Sequence, residues 1–251
     1  MIELFLIGIG AGNPRHLTLQ AIAAMAALDL VLIPRKGVEK DDLAALRRAI
    51  CAEHLPEGVR VVEFDLPRRD AGDPDYRHGV DAWHDAIAAV WAREMARELP
   101  AGGRVGFLVW GDPALYDSTL RIAGRLGRAR PVTTRVIPGI TAIAALTSGH
   151  AIPLNTIGAP FTVTTGRRLR EGGWPAGAET LVVMLDGECA FRSLAPEGVS
   201  IWWSAYAGMA EEIRLSGPLA AVGAEIVAAR AAARARHGWI MDIYLLRREG
   251  D

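Results

Sequence analysis

The stretch RVGFLVWGDPALYDST, residues 104–119, decides the fold of this chain. Val105–Trp110 is short, apolar and free of polar alternation, which predicts a buried strand of a parallel sheet. The strand ends at Gly111-Asp112-Pro113, where Gly permits a tight turn, Asp accepts hydrogen bonds from nearby amides and Pro fixes φ. Open α/β sheets bind ligands at such strand ends. The turn therefore indicates a ligand site, with a simple surface turn as the alternative.

Composition and charge narrow the class of protein. The chain has 251 residues, of which 51% are hydrophobic, enough for one large or two smaller α/β domains. Its net charge of −1 argues against an electrostatic nucleic-acid binder. The two cysteines, Cys51 and Cys189, match no metal spacing and no disulfide framework, which favours a reducing cytoplasm. We also expect no metal site, because the six histidines show no ligand spacing.

The first residues, MIELFLIGIGAG, lack a basic region and contain glycines, so they predict a first strand and not a signal peptide. No apolar run approaches the ~18 residues of a membrane helix, and we expect no membrane partner. A helix over 17–28 and a strand over 29–33, ended by Pro34, complete a βαβ opening with a parallel pair. A long helix from Pro74 to Leu99, capped at Asp73-Pro74, follows a helical apolar period.

The second half has fewer long helices between its strands, which predicts a mixed sheet. The expected strands lie at 132–137, 161–165, 180–185, 199–205 and 239–246, with helices at 118–126, 140–148 and 219–236. The break after Pro113 suggests an N-terminal α/β domain over 1–113 with a mainly parallel sheet. A C-terminal α/β domain over 114–251 follows.

The loop Gly8-Ile9-Gly10-Ala11-Gly12 after the first strand also suggests a dinucleotide site. That fingerprint needs a small residue at position 13 and an acidic residue after the second strand. Asn13 and Arg35 stand there instead. Because an Arg suits a 2′-phosphate, an NADP-dependent reductase is kept as a minor alternative.

Several polar residues have two interpretations. Thr141 caps a predicted helix after Pro138-Gly139, where exposed amides also suit a ligand carboxylate. Arg167, Arg168 and Arg170 form either solvated surface or a site for a polycarboxylate. Tyr116 and Asp117, just past the Gly-Asp-Pro turn, either carry out acid/base chemistry or shape the turn.

Four motifs in order resemble the tetrapyrrole methylase family, which transfers methyl groups from S-adenosylmethionine (SAM). They are Leu6–Pro14 with Leu17-Thr18-Leu19; Trp110–Pro113; Val136–Ala142 with Ile152-Pro153-Leu154; and Ile243–Arg247. Ala11 stands where many relatives have Pro. The resemblance implies the class III SAM methyltransferase fold, two α/β domains with a cleft between them, and a homodimer.

Within the family, the similarity is greatest to members that methylate precorrin-5 at C-1 and release the C-20 acetyl group as acetate. This closer similarity rests on residues 107–119, on Lys36-Gly37 and on the enlarged polar stretch before the long helix. The resemblance places SAM, and its product S-adenosylhomocysteine, against these residues: Pro34, Gly111, Asp112, Leu115, Thr141, Ala142, Met184, Tyr206 and Ala207. It places the macrocycle at Gly10, Gly12 and Asn13. Asp117 and Tyr116 are the candidates for deacetylation chemistry.

Three alternatives stay open at this point. The first is a methylase of the same fold acting on another precorrin, on RNA or on a protein. The second is the NADP-dependent reductase, and the third is a non-catalytic nucleotide-binding module. A specific ligand raises thermal stability at saturation, so melting shifts with SAM and NADPH separate these classes.

Overall fold

The computed structural model describes residues 1–35, 41–69 and 75–248, in two compact units, Met1–Ile140 and Thr141–Asp251. The α/β class predicted from the sequence is confirmed. The division falls later than the expected boundary after Pro113, because the strand at Val132–Ile137 pairs in parallel with the first strand. Within the described ranges, no helix combines the length and the apolar composition that a membrane crossing requires.

The first unit is a parallel sheet with helices on both faces. Its strands are β1 (Ile2–Gly8), β2 (Leu30–Arg35), β3 (Arg60–Asp65), β4 (Gly103–Val109) and β5 (Val132–Ile137), in the order β3-β2-β4-β1-β5. Its helices are α1 (Leu19–Ala26), α2 (Asp41–His54), α3 (Tyr76–Glu98) and α4 (Thr119–Ala129). A short 3₁₀ helix, Pro14–His16, precedes α1.

The predicted pairing of the first two strands is wrong in one respect. β1 and β2 run parallel, but β4 lies between them and pairs with both. β4 takes the central place because five of its seven residues are buried, as a strand covered by helices on both faces requires. Pro34 lies within β2 and does not end it. Beyond Val31, β2 pairs only with β3, so no ladder partner on the β4 side needs the missing N–H.

The apolar residues divide between the two faces of this sheet. On one face α3 and α4 pack against side chains of β1, β2 and β4, with Trp91 stacked on Phe107 at a centroid distance of 4.1 Å. On the other face α1 and α2 pack against Phe5, Ile7 and Leu108. Thr18 starts α1 by accepting a hydrogen bond from the Ala21 amide at 3.0 Å.

The second unit has a mixed sheet in the order β6-β7-β10-β8-β9. Its strands are β6 (Phe161–Thr165), β7 (Thr180–Met184), β8 (Val199–Ala205), β9 (Ile213–Pro218) and β10 (Asp242–Arg248). β6 and β7 are parallel, and the other pairs are antiparallel. Its helices are α5 (Ala142–His150), α6 (Gly166–Gly172) and α7 (Leu219–His237), with a 3₁₀ turn at Ala190–Ser193.

Besides the two 3₁₀ turns, one strand and one α-helix were not expected from the sequence. β9 contains Gly217-Pro218, a turn signal that hides its alternating burial. α6 is only seven residues long and begins and ends in Gly, so its apolar period is too short to recognise. The proposed cap at Asp73-Pro74 and the Lys36-Gly37 pair lie outside the described residues.

Candidate functional site

The first unit has a topological switch point between β1 and β4. After β1 the chain crosses to β2 on one side, and after β4 it crosses to β5 on the other. The two connecting helices lie on opposite faces of the sheet, as a switch point requires. α1 packs on the face of Ile7, and α4 packs on the face of Leu6. The loops after β1 and β4 therefore leave in opposite directions and open a crevice at the carboxyl edge, where α/β sheets bind ligands.

The loops at this crevice meet through their backbones. Gly10 N donates to Gly111 O at 3.3 Å, and Gly111 N donates to Gly10 O at 2.8 Å. A Cβ on Gly8 would lie 2.6 Å from the amide nitrogen of Gly139, in the loop after β5. A side chain at Gly8 would push these loops apart, which explains why glycine is needed there.

Asp112 organises the turn after β4. Its Oδ1 accepts from the Ala114 amide at 2.8 Å, and its Oδ2 accepts from the Gly139 amide at 2.9 Å. Leu115 N donates to the Asp112 carbonyl at 3.2 Å and completes the turn. The carboxylate therefore holds the loops after β4 and β5 together, and its contact with SAM stays a prediction.

Asp117 and Tyr116 lie between this turn and α4. Asp117 Oδ1 accepts from the Thr119 amide at 2.6 Å and also contacts the Thr119 hydroxyl, so it shapes the start of α4. Tyr116 has a φ of 49° and is 43% exposed. A bulky residue in the left-handed region is a strained conformation of the kind found at functional sites. Neither side chain is assigned a catalytic role by this geometry alone.

The remaining first-unit candidates differ in how they are held. Gly12 has a φ of 114°, and the Asn13 Oδ1 accepts from the Arg15 amide at 2.9 Å, capping the 3₁₀ turn. Pro34 is half-buried near the carboxyl end of β2. Arg35 pairs with Asp65 through two hydrogen bonds of 3.0 Å, so its side chain is engaged within the sheet edge.

The geometry does not fit the dinucleotide alternative. In that fold the glycine loop leads directly into a helix whose N-terminus meets the pyrophosphate. Here a 3₁₀ turn follows Asn13, and α1 begins only at Leu19 with its own Thr18 cap. The order β3-β2-β4-β1-β5 also differs from the Rossmann order.

In the second unit, the predicted SAM residues lie at three places: the start of α5, the end of β7 and the chain just after β8. Thr141 caps α5 by accepting from the Ala144 amide at 3.2 Å, and Ala142 is the first helical residue. Met184 ends β7, and the following Leu185 has a φ of 52° with 65% of its surface exposed. An exposed leucine at positive φ leaves an apolar surface beside Met184.

Tyr206 and Ala207 follow β8 and are both buried. The Tyr206 hydroxyl donates to the Trp239 carbonyl at 2.7 Å, and burial raises the pKa of this phenol. Since the ring points into the core of the unit, any ligand contact of Tyr206 would be made by its backbone.

A buried carboxylate that was not predicted from the sequence holds the loop after β7. Asp186 accepts from Arg170 at 3.1 Å, from the Tyr244 hydroxyl at 2.7 Å and from two amides, those of Glu188 and Ala190. Arg230 donates to its carbonyl at 2.8 Å. These contacts lock Leu185 in its exposed position. The only local signal was Asp186-Gly187 directly after a buried strand, which is also an ordinary turn signal.

Comparison with known proteins agrees with this architecture. The pattern of the Tetrapyrrole (Corrin/Porphyrin) Methylases matches residues 3–223. The precorrin-6A synthase [deacetylating] of Sinorhizobium sp is 48% identical over 254 residues, covering 100% of this chain and 97% of that protein. The chain therefore belongs to the tetrapyrrole methylase family.

Solved structures support the same fold. A cobalamin synthesis related protein (CobF) from Corynebacterium diphtheriae has a TM-score of 0.84 at 37% identity, with 99% of each chain covered. The uroporphyrin-III C-methyl transferase of Thermus thermophilus, complexed with S-adenyl homocysteine, has a TM-score of 0.62 at 23% identity, covering 98% of this chain and 92% of that one. The second likeness concerns the fold alone.

Proposed function

We propose that this protein is a SAM-dependent C-methyltransferase of cobalamin biosynthesis that methylates precorrin-5 at C-1 and releases acetate, giving precorrin-6A. The observation that carries the proposal is the 48% identity to a precorrin-6A synthase [deacetylating] across the whole chain. The methylase family and the CobF likeness support the same class of reaction. We also propose that the enzyme acts as a homodimer in the cytoplasm.

We propose that SAM contacts Gly111, Asp112 and Leu115 of the first unit, with a further contact at Pro34. In the second unit it contacts the start of α5 at Thr141 and Ala142, and the loops at Met184, Tyr206 and Ala207. Two features of the structure fit SAM: nothing lies within 4 Å of the position a Cβ would take at Gly111, and Leu185 offers an exposed apolar surface. SAM supplies the methyl group when it is bound.

The macrocycle is proposed to lie at Gly10, Gly12 and Asn13. Methyl transfer from a sulfonium to an electron-rich ring carbon needs alignment and exclusion of water, which backbone loops provide. We therefore propose that no metal takes part. Removal of the acetyl group makes a different demand, a water delivered to a carbonyl and a proton accepted, for which Asp117 and Tyr116 are the proposed residues.

The test combines binding and turnover. SAM and S-adenosylhomocysteine should raise the melting temperature, and NADPH should leave it unchanged. Purified precorrin-5 with methyl-labelled SAM should yield a methylated macrocycle and one acetate per methyl transferred. A melting shift with NADPH alone would contradict the cofactor. Methylation of another precorrin in preference to precorrin-5 would contradict the substrate.

A further inference from the structure

The buried face of α7 contains a charged residue where its helical spacing calls for an apolar one. Ile226 and Ala233 pack into the core of the second unit, and Arg230 lies between them on the same face of the helix. Arg230 is buried as well, although arginine is almost never fully buried unless it is paired. Departures from the local pattern concentrate at functional or strained sites. The position of Arg230 therefore needs a reason beyond the packing of α7.

The guanidinium of Arg230 joins two segments of the second unit that are far apart in the chain. Its Nε donates to Asp242 Oδ2 at 2.9 Å, at the start of β10. Its Nη2 donates to the Asp186 carbonyl at 2.8 Å, in the loop after β7. The same Asp242 oxygen accepts from the indole N–H of Trp203 at 3.0 Å. Because the donors of a guanidinium have fixed directions, one side chain sets the separation of the two segments.

Both segments adjoin residues that are proposed to contact SAM. In the loop after β7, Asp186 comes two residues after Met184. At the start of β10, the carbonyl of Met241 accepts a hydrogen bond from the Tyr206 amide at 2.8 Å. The bridge through Arg230 therefore connects the loop after β7 with the chain just after β8.

The loop after β7 holds two residues in a backbone conformation that side chains disfavour. Leu185 has a φ of 52°, and Cys189 has a φ of 57°. Such conformations of residues other than glycine persist only where the surrounding structure imposes them. Asp186 lies between the two, and its carbonyl is the acceptor of the Arg230 hydrogen bond. Arg230 therefore restrains the loop at a point where the backbone needs an external partner.

Stability alone is a poor explanation for this buried ion pair. The side chains of Arg230 and Asp242 are 10% and 6% exposed, so both charges have lost most of their hydration. Burial raises the pKa of Asp242, and the hydrogen bonds from Arg230 and Trp203 oppose this shift. A well-packed apolar pair is often as stable as a buried ion pair, or more stable. The charged pair therefore points to a requirement for defined geometry.

We propose that Arg230 is a positioning residue for the cofactor, which fixes the loop after β7 relative to the chain just after β8 so that both can contact SAM. The inference rests on the proposed function and adds to it a residue that lies outside the ligand-contacting loops. Arg230 acts through Asp186 and Asp242 and touches no reacting atom. Its loss should weaken SAM binding and leave the chemical step unchanged once SAM is saturating.

The test separates the bridge from the stability of the ion pair. Arg230→Met removes both hydrogen bonds and leaves the Asp242 carboxylate buried without its cation, which should destabilise the fold. In the double variant Arg230→Met/Asp242→Asn the pair is neutral, and the new amide oxygen can still accept from Trp203. The double variant should recover most of the melting temperature that the single variant loses. It should not recover the bridge to the Asp186 carbonyl.

Arg247→Met is the matched control. Arg247 lies near the other end of β10, where its Nη2 donates to the Pro153 and Leu154 carbonyls at 2.9 and 3.1 Å. The substitution is the same, and it also removes hydrogen bonds that an arginine makes to carbonyls of a distant segment. It should therefore lower the melting temperature and leave the affinity for SAM unchanged.

The double variant should raise the dissociation constant for SAM about tenfold or more in calorimetric titration, because the bridge is a hydrogen bond from a charged group. In turnover of precorrin-5 the KM for SAM should rise equally, and kcat should stay at the wild-type value. Hydrogen exchange gives a readout that needs no ligand. Amides in residues 185–190 should exchange about tenfold faster in the double variant, and at the wild-type rate in Arg247→Met.

Three results would overturn the positioning role. The first is wild-type affinity for SAM in the double variant. The second is an equal loss of affinity in Arg247→Met. The third is a double variant that does not fold while Arg247→Met does, because Arg230 would then be required for the fold itself. If the wild-type protein does not bind SAM, the proposed function fails instead, and the hydrogen-exchange comparison still decides whether Arg230 restrains the loop.

Discussion

Three aspartates at loop positions are held by backbone amides, and each follows a strand or starts a helix. Asp112 and Asp117 shape the chain after β4, and Asp186 holds the loop after β7. A carboxylate that accepts from amides is strongly oriented, because charge-assisted hydrogen bonds are about twice as strong as neutral ones. At the residue scale, these carboxylates therefore set the shape of the loops after β4 and β7, each within its own unit.

Asp112→Ala removes the acceptor of both the Ala114 and the Gly139 amides. We expect the free energy of unfolding to fall by about 1–3 kcal/mol and the dissociation constant for SAM to rise at least tenfold, because the loops after β4 and β5 separate. Urea unfolding and calorimetric titration with SAM measure the two effects.

Asp29→Ala is the matched control for that change. Asp29 accepts from the Arg104 amide at 2.7 Å at the amino end of β4, on the opposite edge of the same sheet. The Asp29→Ala substitution should lower the free energy of unfolding and leave the affinity for SAM unchanged. Equal loss of SAM affinity in both variants would assign Asp112 a general role in stability.

At the element scale, α3 is the scaffold of the first unit. Its buried side chains Ile87, Trp91 and Met95 repeat at helical spacing, as the sequence predicted, and pack on β4. The two tryptophans of this helix differ in burial. Trp91 is almost completely buried, whereas Trp83 is half-buried and donates from its indole to the Pro67 carbonyl at 2.7 Å.

Trp91→Ala should lower the free energy of unfolding by about 3–5 kcal/mol, since it removes a buried ring from a packed cluster. Trp83→Ala should cost less, because part of that ring already contacts solvent. Urea denaturation of both variants gives the comparison. A larger loss for Trp83→Ala would show that its contact with Pro67 matters more than the burial of Trp91.

At the scale of the whole molecule, each unit has its own core and its own buried thiol. Cys51 lies in the first unit and Cys189 in the second, and both are free. Burial raises the pKa of Cys51 to about 11 and raises that of Cys189 as well. The thiolate is the reactive form, so a buried thiol with a raised pKa reacts mainly when its unit opens. The reaction rate of each thiol therefore measures how often its own unit opens.

Both thiols should react with a disulfide reagent at pH 8 far more slowly in the native protein than in urea. Cys51→Ser and Cys189→Ser isolate the two signals. Saturating SAM should slow both reactions, by up to about 100-fold at 100 times the dissociation constant, because residues of both units are proposed to bind it. If SAM protected only one of the two thiols, the result would show that SAM binds only the unit containing that thiol and would contradict the prediction.

Much of the fold and part of the site could be predicted from local sequence. The strands Val132–Ile137, Phe161–Thr165 and Val199–Ala205 have the predicted bounds, and α3 follows its apolar period. These features depend on residues a few positions apart, through side-chain periodicity and turn chemistry. The ordered motifs around Gly8, Gly111 and Gly139 likewise indicated the family. A Cβ at Gly8 or Gly139 would clash with neighbouring backbone, and Gly111 has a φ of 66°.

Only the tertiary structure decided which strands and side chains meet. It placed β4 between β1 and β2, joined β5 to the first sheet, and directed the Asp112 carboxylate to the Gly139 amide. It also surrounded Asp186 with donors from Arg170, Tyr244 and Arg230. These contacts join residues far apart in the chain, and long-range packing and hydrogen bonding select them. No local pattern of apolar spacing or turn residues encodes that choice.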